Sequence, residues 1–154
     1  MRFSIPFLAM GLATLAGLPQ ATAEDMQLRY ITLFNNGGYN IDPIVLHWKT
    51  PDGVKDSKQL GAKIGKGEAL CYDITKGGGV PDGSEVWILA KIEGGDNENC
   101  RKDRKHIYNP SSTKIWWLGM AGTTLNSNRC KNVSKKNQMY PASTRIKGNS
   151  DVCN

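Results

Sequence analysis

Histidine is scarce in this chain, with two residues, His47 and His106, among 154. Any imidazole acid–base chemistry therefore rests on that one pair. The four cysteines never form a C-x₂₋₄-C pair and have no histidine near them in sequence, so the usual spacing of a zinc site is missing. No G-x-S-x-G elbow, H-E-x-x-H helix or P-loop occurs. The acidic residues are scattered, which leaves a paired-carboxylate glycosidase without local support. Residues 94–99 (GGDNEN) hold oxygen ligands but lack the alternation and the glycine of a calcium loop. Gly77-Gly78-Gly79 is followed by a strand pattern, not the helix that a phosphate cradle needs, and is read as a turn. No cofactor and no metal are expected. Beyond residue 23, apolar residues never keep helical spacing for three turns, which argues against a helical fold.

What the chain does contain begins at its N-terminus. Arg2 precedes an uncharged apolar run, residues 3–18, that Pro19 and Gln20 interrupt. Ala21-Thr22-Ala23 then supplies the small residues read by a signal peptidase, and Glu24 and Asp25 follow. This three-part layout predicts a secretory signal over residues 1–23 and a secreted or periplasmic protein cleaved near Ala23. The run is shorter than the roughly 20 residues of a membrane-spanning helix. There is no cysteine at the cleavage site and no twin-arginine pair, which argues against a lipid anchor and against twin-arginine export. The rest is the size of one domain. The formal charge of +6 loses only Arg2 on cleavage, so the mature chain stays basic and suited to anionic surfaces.

Cys71, Cys100, Cys130 and Cys153 all lie in the mature part. An even number of cysteines in an exported chain predicts two disulfides. Three pairings are open. The sequential one, Cys71–Cys100 and Cys130–Cys153, is preferred because its second bridge would fasten a polar tail.

Strand-length segments separated by turns fill the mature sequence. Residues 27–34 (QLRYITLF) lead to Asn35-Asn36-Gly37-Gly38, which accept positive φ. In 41–49 (IDPIVLHWK), Ile44, Leu46 and Trp48 share one face, and Val45 and His47 the other. Thr50-Pro51-Asp52-Gly53 is a turn, 54–60 a weaker strand, and 68–75 (EALCYDIT) an alternating one. Residues 85–92 (EVWILAKI) form the most hydrophobic strand of the mature chain and are expected at the centre. Residues 94–104 read as a polar loop, 106–109 as a short strand, and 114–125 (KIWWLGMAGTTL) as a long aromatic-rich one. The predicted fold is an all-β, single-domain antiparallel sandwich of Greek-key type with six or seven strands and two disulfides. It is expected to occupy 24–128, with a basic polar tail over 129–154 tied down by a disulfide.

Three functional readings follow. Adjacent tryptophans on a strand point to opposite faces, so Trp116 and Trp117 cannot both fill the core unless both faces are covered. With the basic cluster Arg101, Lys102, Arg104 and Lys105, they suggest a secreted non-enzymatic binding or effector protein. Such a protein would meet an anionic glycan or membrane surface. The second reading is a small secreted hydrolase, a ribonuclease in which His47 and His106 act as base and acid and nucleic acid is the partner. The third is a periplasmic inhibitor or immunity protein with a protein partner. A further cationic set, from Arg129 to Lys147, is read as a solvated tail. Residues 126–128 (NSN) offer hydrogen-bond groups at a strand end, where sandwich loops often bind. Asn132-Val133-Ser134 is a glycosylation sequon.

Overall fold

The computed structural model describes residues 25–100, 105–133 and 143–154. The signal segment 1–23 lies outside the described residues. The chain runs through β1 (Met26–Leu28), β2 (Tyr30–Asn35), β3 (Ile41–Lys49), β4 (Lys55–Gln59) and β5 (Glu68–Asp73). A single helical turn, α1 (Ile74–Gly77), leads to β6 (Glu85–Ile92), β7 (Glu98–Cys100), β8 (His106–Tyr108), β9 (Ile115–Ala121), β10 (Arg129–Asn132) and β11 (Arg145–Gly148). Strands make up 50% of the described residues and helix 3%, so the fold is all-β.

The strands form two sheets. Sheet A has the order β1-β8-β6-β3-β4, with β7 also paired to β6, and sheet B the order β10-β9-β2-β5-β11. The β3–β6 pair shows why the first sheet forms. It is antiparallel from Ile44 opposite Ala90 to Lys49 opposite Glu85. Alternate residues of both strands, among them Ile44, Leu46, Val86 and Ile88, are buried, and those between are half-buried or exposed. That is the signature of a sheet with one face on the core. Pro43, which has no N–H to donate, sits where the register shifts between Ile41 and Ile44.

Sheet B differs, because β2 and β5 are buried on both faces. Leu70 and Tyr72 of β5 join the core, so Ala69, Cys71 and Asp73 face outward. The C-terminal segment covers them. β11 pairs with β5, Cys153 is bonded to Cys71, and the Asn149 amide clasps the Asp73 backbone at both N–H and C=O (2.7 and 3.0 Å).

Three expectations are corrected. Among the described residues there are eleven strands, not six or seven: β7, β10 and β11 lie where a loop or tail is expected, and β1 is split from β2 at Arg29. The sandwich is not antiparallel throughout, because β1–β8, β2–β9 and β5–β11 are parallel. The disulfides are Cys71–Cys153 and Cys100–Cys130. Cys100 and Cys130 come from different sheets and both face the interior, opposite Ile88 and Met120 respectively. Cys71 lies on the outer side of sheet B, so it cannot reach Cys100. Within 129–154, β10 and β11 supply both edge strands of sheet B, and Cys153 is bonded to Cys71. Two disulfides are compatible with an extracellular protein.

A charge pair marks the β1–β2 break. Asp73, 1% exposed, accepts from Arg29 Nε at 3.0 Å and Nη2 at 2.7 Å, and caps α1 by accepting from the amides of Thr75 and Lys76. Burial pushes the Asp73 carboxyl up, but the Arg29 hydrogen bonds and charge, with the two amides, pull it further down, to below its usual value of 3.8. A carboxylate whose folded pKa is depressed stabilises the fold above its unfolded pKa and loses that contribution as pH falls through the folded one. Arg29→Ala is therefore expected to lower Tm most at neutral pH, with the gap to wild type narrowing below pH 4. Melts at pH 7 and pH 3 check this, and an equal gap at both would refute it.

Candidate functional site

The two adjacent tryptophans do point to opposite sides. Trp116 is 2% exposed and faces inward from β9. It stacks on His106 (centroids 3.6 Å apart, 16° between planes), and its Nε1 donates to Asn132 Oδ1 at 2.7 Å. The surface role considered for Trp116 is thus corrected: its indole belongs to the core. Trp117 is half-buried on the outer side of sheet B, opposite Thr32. A groove of about 180 Å³ along the β1, β8, β9 and β10 edges is lined by both tryptophans with His106, Met26 and Val133. Of the basic cluster, Lys105 is exposed, while Arg101, Lys102 and Arg104 lie outside the described residues.

The histidines are not brought together. His106 is 2% exposed and faces inward from β8. His47 sits on the outer face of β3, half-buried, with its ring nearly parallel to that of Trp87 across the strand (8°, centroids 5.5 Å). Burial, helped by the nearby Lys91 ammonium, holds the His47 imidazole below its ordinary pKa of 6.5 and favours the neutral ring. Sheet A separates the two imidazoles, so they cannot act on one phosphate as base and acid. Among the described residues, no three His, Cys, Asp or Glu side chains cluster as a metal site.

At one end of the sandwich, three loops lock together. In loop 36–40, the buried Asn35 amide donates to the Tyr39 carbonyl (2.7 Å) and accepts from the Gly37 N–H (2.9 Å). Tyr39 Oη then donates to the Ala121 carbonyl, and the Gly38 N–H to that of Gly122, both at 3.1 Å. Loop 122–128 is tied internally. The Thr123 N–H donates to the Asn126 carbonyl (3.0 Å), and the Asn128 amide to that of Thr124 (3.3 Å). Gly122, at φ +118°, passes so near Ser127 that a Cβ would stand 2.5 Å from its carbonyl oxygen. A Cβ on Gly95 would stand 2.1 Å from the Thr124 carbonyl oxygen, which shows how closely loop 93–97 packs against it. This braced turn holds Leu125 outward at 76% exposure, the most exposed large apolar side chain among the described residues. Arg129 follows, exposed, at the start of β10.

Sequence reasoning placed Leu125 inside a strand. The signal that locates it in a loop is the turn chemistry on both sides, Gly122 before it and Asn126-Ser127-Asn128 after it. The His47–Trp87 pair, likewise missed, follows from two alternating strands once their register is known.

No family model matches this chain, and no curated protein does. Solved structures give slight similarity. A disulfide-locked mutant of intermedilysin with human CD59 matches at TM-score 0.38 and 14% identity, over 68% of this chain and 24% of that one. A structure described as a trapped toxin matches at 0.34 and 18%, over 68% and 24%. The human-specific toxin intermedilysin matches at 0.34 and 18%, over 69% and 23%. The chain spans about a quarter of the length of these structures, and likeness this slight assigns it neither family nor function.

Proposed function

We propose that this is a secreted, non-enzymatic protein that attaches to a membrane surface through the loop end of its sandwich, with Leu125 at the apex. The observation that carries this reading is the braced exposure of Leu125. A flexible loop could fold a leucine back onto the protein, whereas a hydrogen-bonded turn keeps it in water until an apolar phase is offered. Transfer of one leucine contributes about 1.5–3 kcal/mol. A basic chain adds attraction to anionic headgroups. Export through the signal over residues 1–23 would bring the protein to such surfaces.

The expected result is co-sedimentation of the mature protein with phosphatidylcholine–phosphatidylserine vesicles at physiological salt. Leu125→Ser, an exposed change that leaves the circular dichroism spectrum unaltered, is expected to lower the partition coefficient at least about tenfold. Equal partitioning of variant and wild type, or no partitioning of either, would overturn the reading.

A further inference from the structure

The outer face of sheet A carries features that the loop end does not use. One row of facing residues crosses four strands there: Lys49 on β3, Glu85 on β6, Ile107 on β8 and Gln27 on β1. At typical strand spacing it is about 14 Å long. Over its β3–β6–β8 part lies a hollow of about 190 Å³ that Lys49, Glu85, Lys105 and Asp25 line. Asp25 also borders a second hollow, of about 460 Å³, at the β1 end, with Gln27, Asn109, Ser111, Ser112 and Lys114. One residue pair further along β3 and β6, on the same face, is the His47–Trp87 stack.

The polar groups of the second hollow are held in place. Asn109 Nδ2 donates to Gln27 Oε1 at 2.7 Å, Asn109 Oδ1 accepts from the Ser111 N–H at 2.9 Å, and Ser112 Oγ donates to the Gln27 carbonyl at 3.1 Å. Cations and carboxylates alternate along the trough, Lys114, Asp25, Lys105, Glu85 and Lys49. A polyphosphate would meet repulsion at Asp25 and Glu85, and so would nucleic acid. A lipid surface would find only half-buried apolar side chains here, Val45, Trp87, Leu89 and Ile107. The pattern suits a molecule that offers hydroxyl donors to the carboxylates and amides, acid groups to the lysines and an apolar ring face to an aromatic side chain.

We infer that this trough is a second binding site, distinct from the loop end, and that it takes an acidic oligosaccharide. The sugar chain lies along the Gln27–Ile107–Glu85–Lys49 row. Its hydroxyls meet Asn109, Asp25 and Glu85, its carboxylates meet Lys114, Lys105 and Lys49, and one ring lies beside Trp87.

Calorimetric titration of the mature protein at physiological salt with an oligogalacturonate hexamer, and with an uncharged malto-oligosaccharide of equal length, tests the site. Saturable binding of the acidic sugar alone is expected. Lys49→Ala and Lys114→Ala, exposed changes at opposite ends of the trough, are each expected to weaken it about tenfold, the loss of one charge-assisted hydrogen bond. Leu125→Ser is expected to leave it unchanged. Absence of binding, equal binding of both sugars, insensitivity to both lysine changes, or loss in Leu125→Ser would each overturn the inference. The vesicle result for Leu125 stands or falls separately.

Discussion

Removing the Cys71–Cys153 bridge, as the Cys71→Ala/Cys153→Ala double variant, is expected to cost about 4 kcal/mol, within the roughly 2–5 kcal/mol typical of native disulfides. The bridge closes a sequence separation of 82 residues, against 30 for Cys100–Cys130. In the chain-entropy account those lengths correspond to about 4.5 and about 3.6 kcal/mol. The longer bridge also has a local role. It fixes the segment that covers the outward side of β5, where Cys71 is fully buried and Asn149 completes the backbone bonding of Asp73. Without it, the outer side of sheet B meets water and β11 loses its covalent anchor. For a domain with total stability of about 5–15 kcal/mol, the change is a large fraction of the whole. Urea unfolding under non-reducing conditions measures it. A loss below about 1 kcal/mol would mean that hydrogen bonds alone hold the C-terminal segment in place.

Trp116→Ala is expected to cost about 3–5 kcal/mol, as for other large buried aromatics. The indole lies under both sheets, stacks on His106 and donates to Asn132, so truncation removes a core contact, opens the groove it lines and strips the partner amide. Trp116→Phe separates these effects. It keeps a ring against His106 and loses the hydrogen bond, at an expected cost of about 1 kcal/mol from that bond. Unfolding curves for the two variants give the difference directly, and similar losses for both would show that stacking contributes little.

β3 and β6 were legible residue for residue, because a strand with one face on the core and the other toward solvent writes its environment as alternation. The same rule misled at β5. Its outward residues, Cys71 and Asp73, look like a solvent face and are buried by a segment more than seventy residues away. Arg29 interrupts what reads as one strand, since its partner Asp73 is set by tertiary contact. β7, β10 and β11 carry almost no apolar pattern. Two of them are held by the Cys100–Cys130 bridge, and β11 by its pairing with β5 and the ion pair of Lys147 with Glu68 at 2.6 Å. Sequence adjacency was enough to send Trp116 and Trp117 to opposite faces. It could not say which was inside, nor that Leu125 had left the strand.

The disulfide topology has a consequence for biosynthesis. Of the four cysteines, Cys71 and Cys100 are synthesised first, and Cys130 and Cys153 follow. An oxidase acting on the growing chain meets just the pair that the finished fold keeps on opposite sides of a sheet. Cys71 has no native partner until Cys153 has appeared. Native pairing therefore needs either oxidation delayed until Cys153 is out or thiol–disulfide exchange that undoes an early 71–100 bridge. In the second case, yield in an oxidising compartment depends on an isomerase as well as on the stability of the finished sandwich.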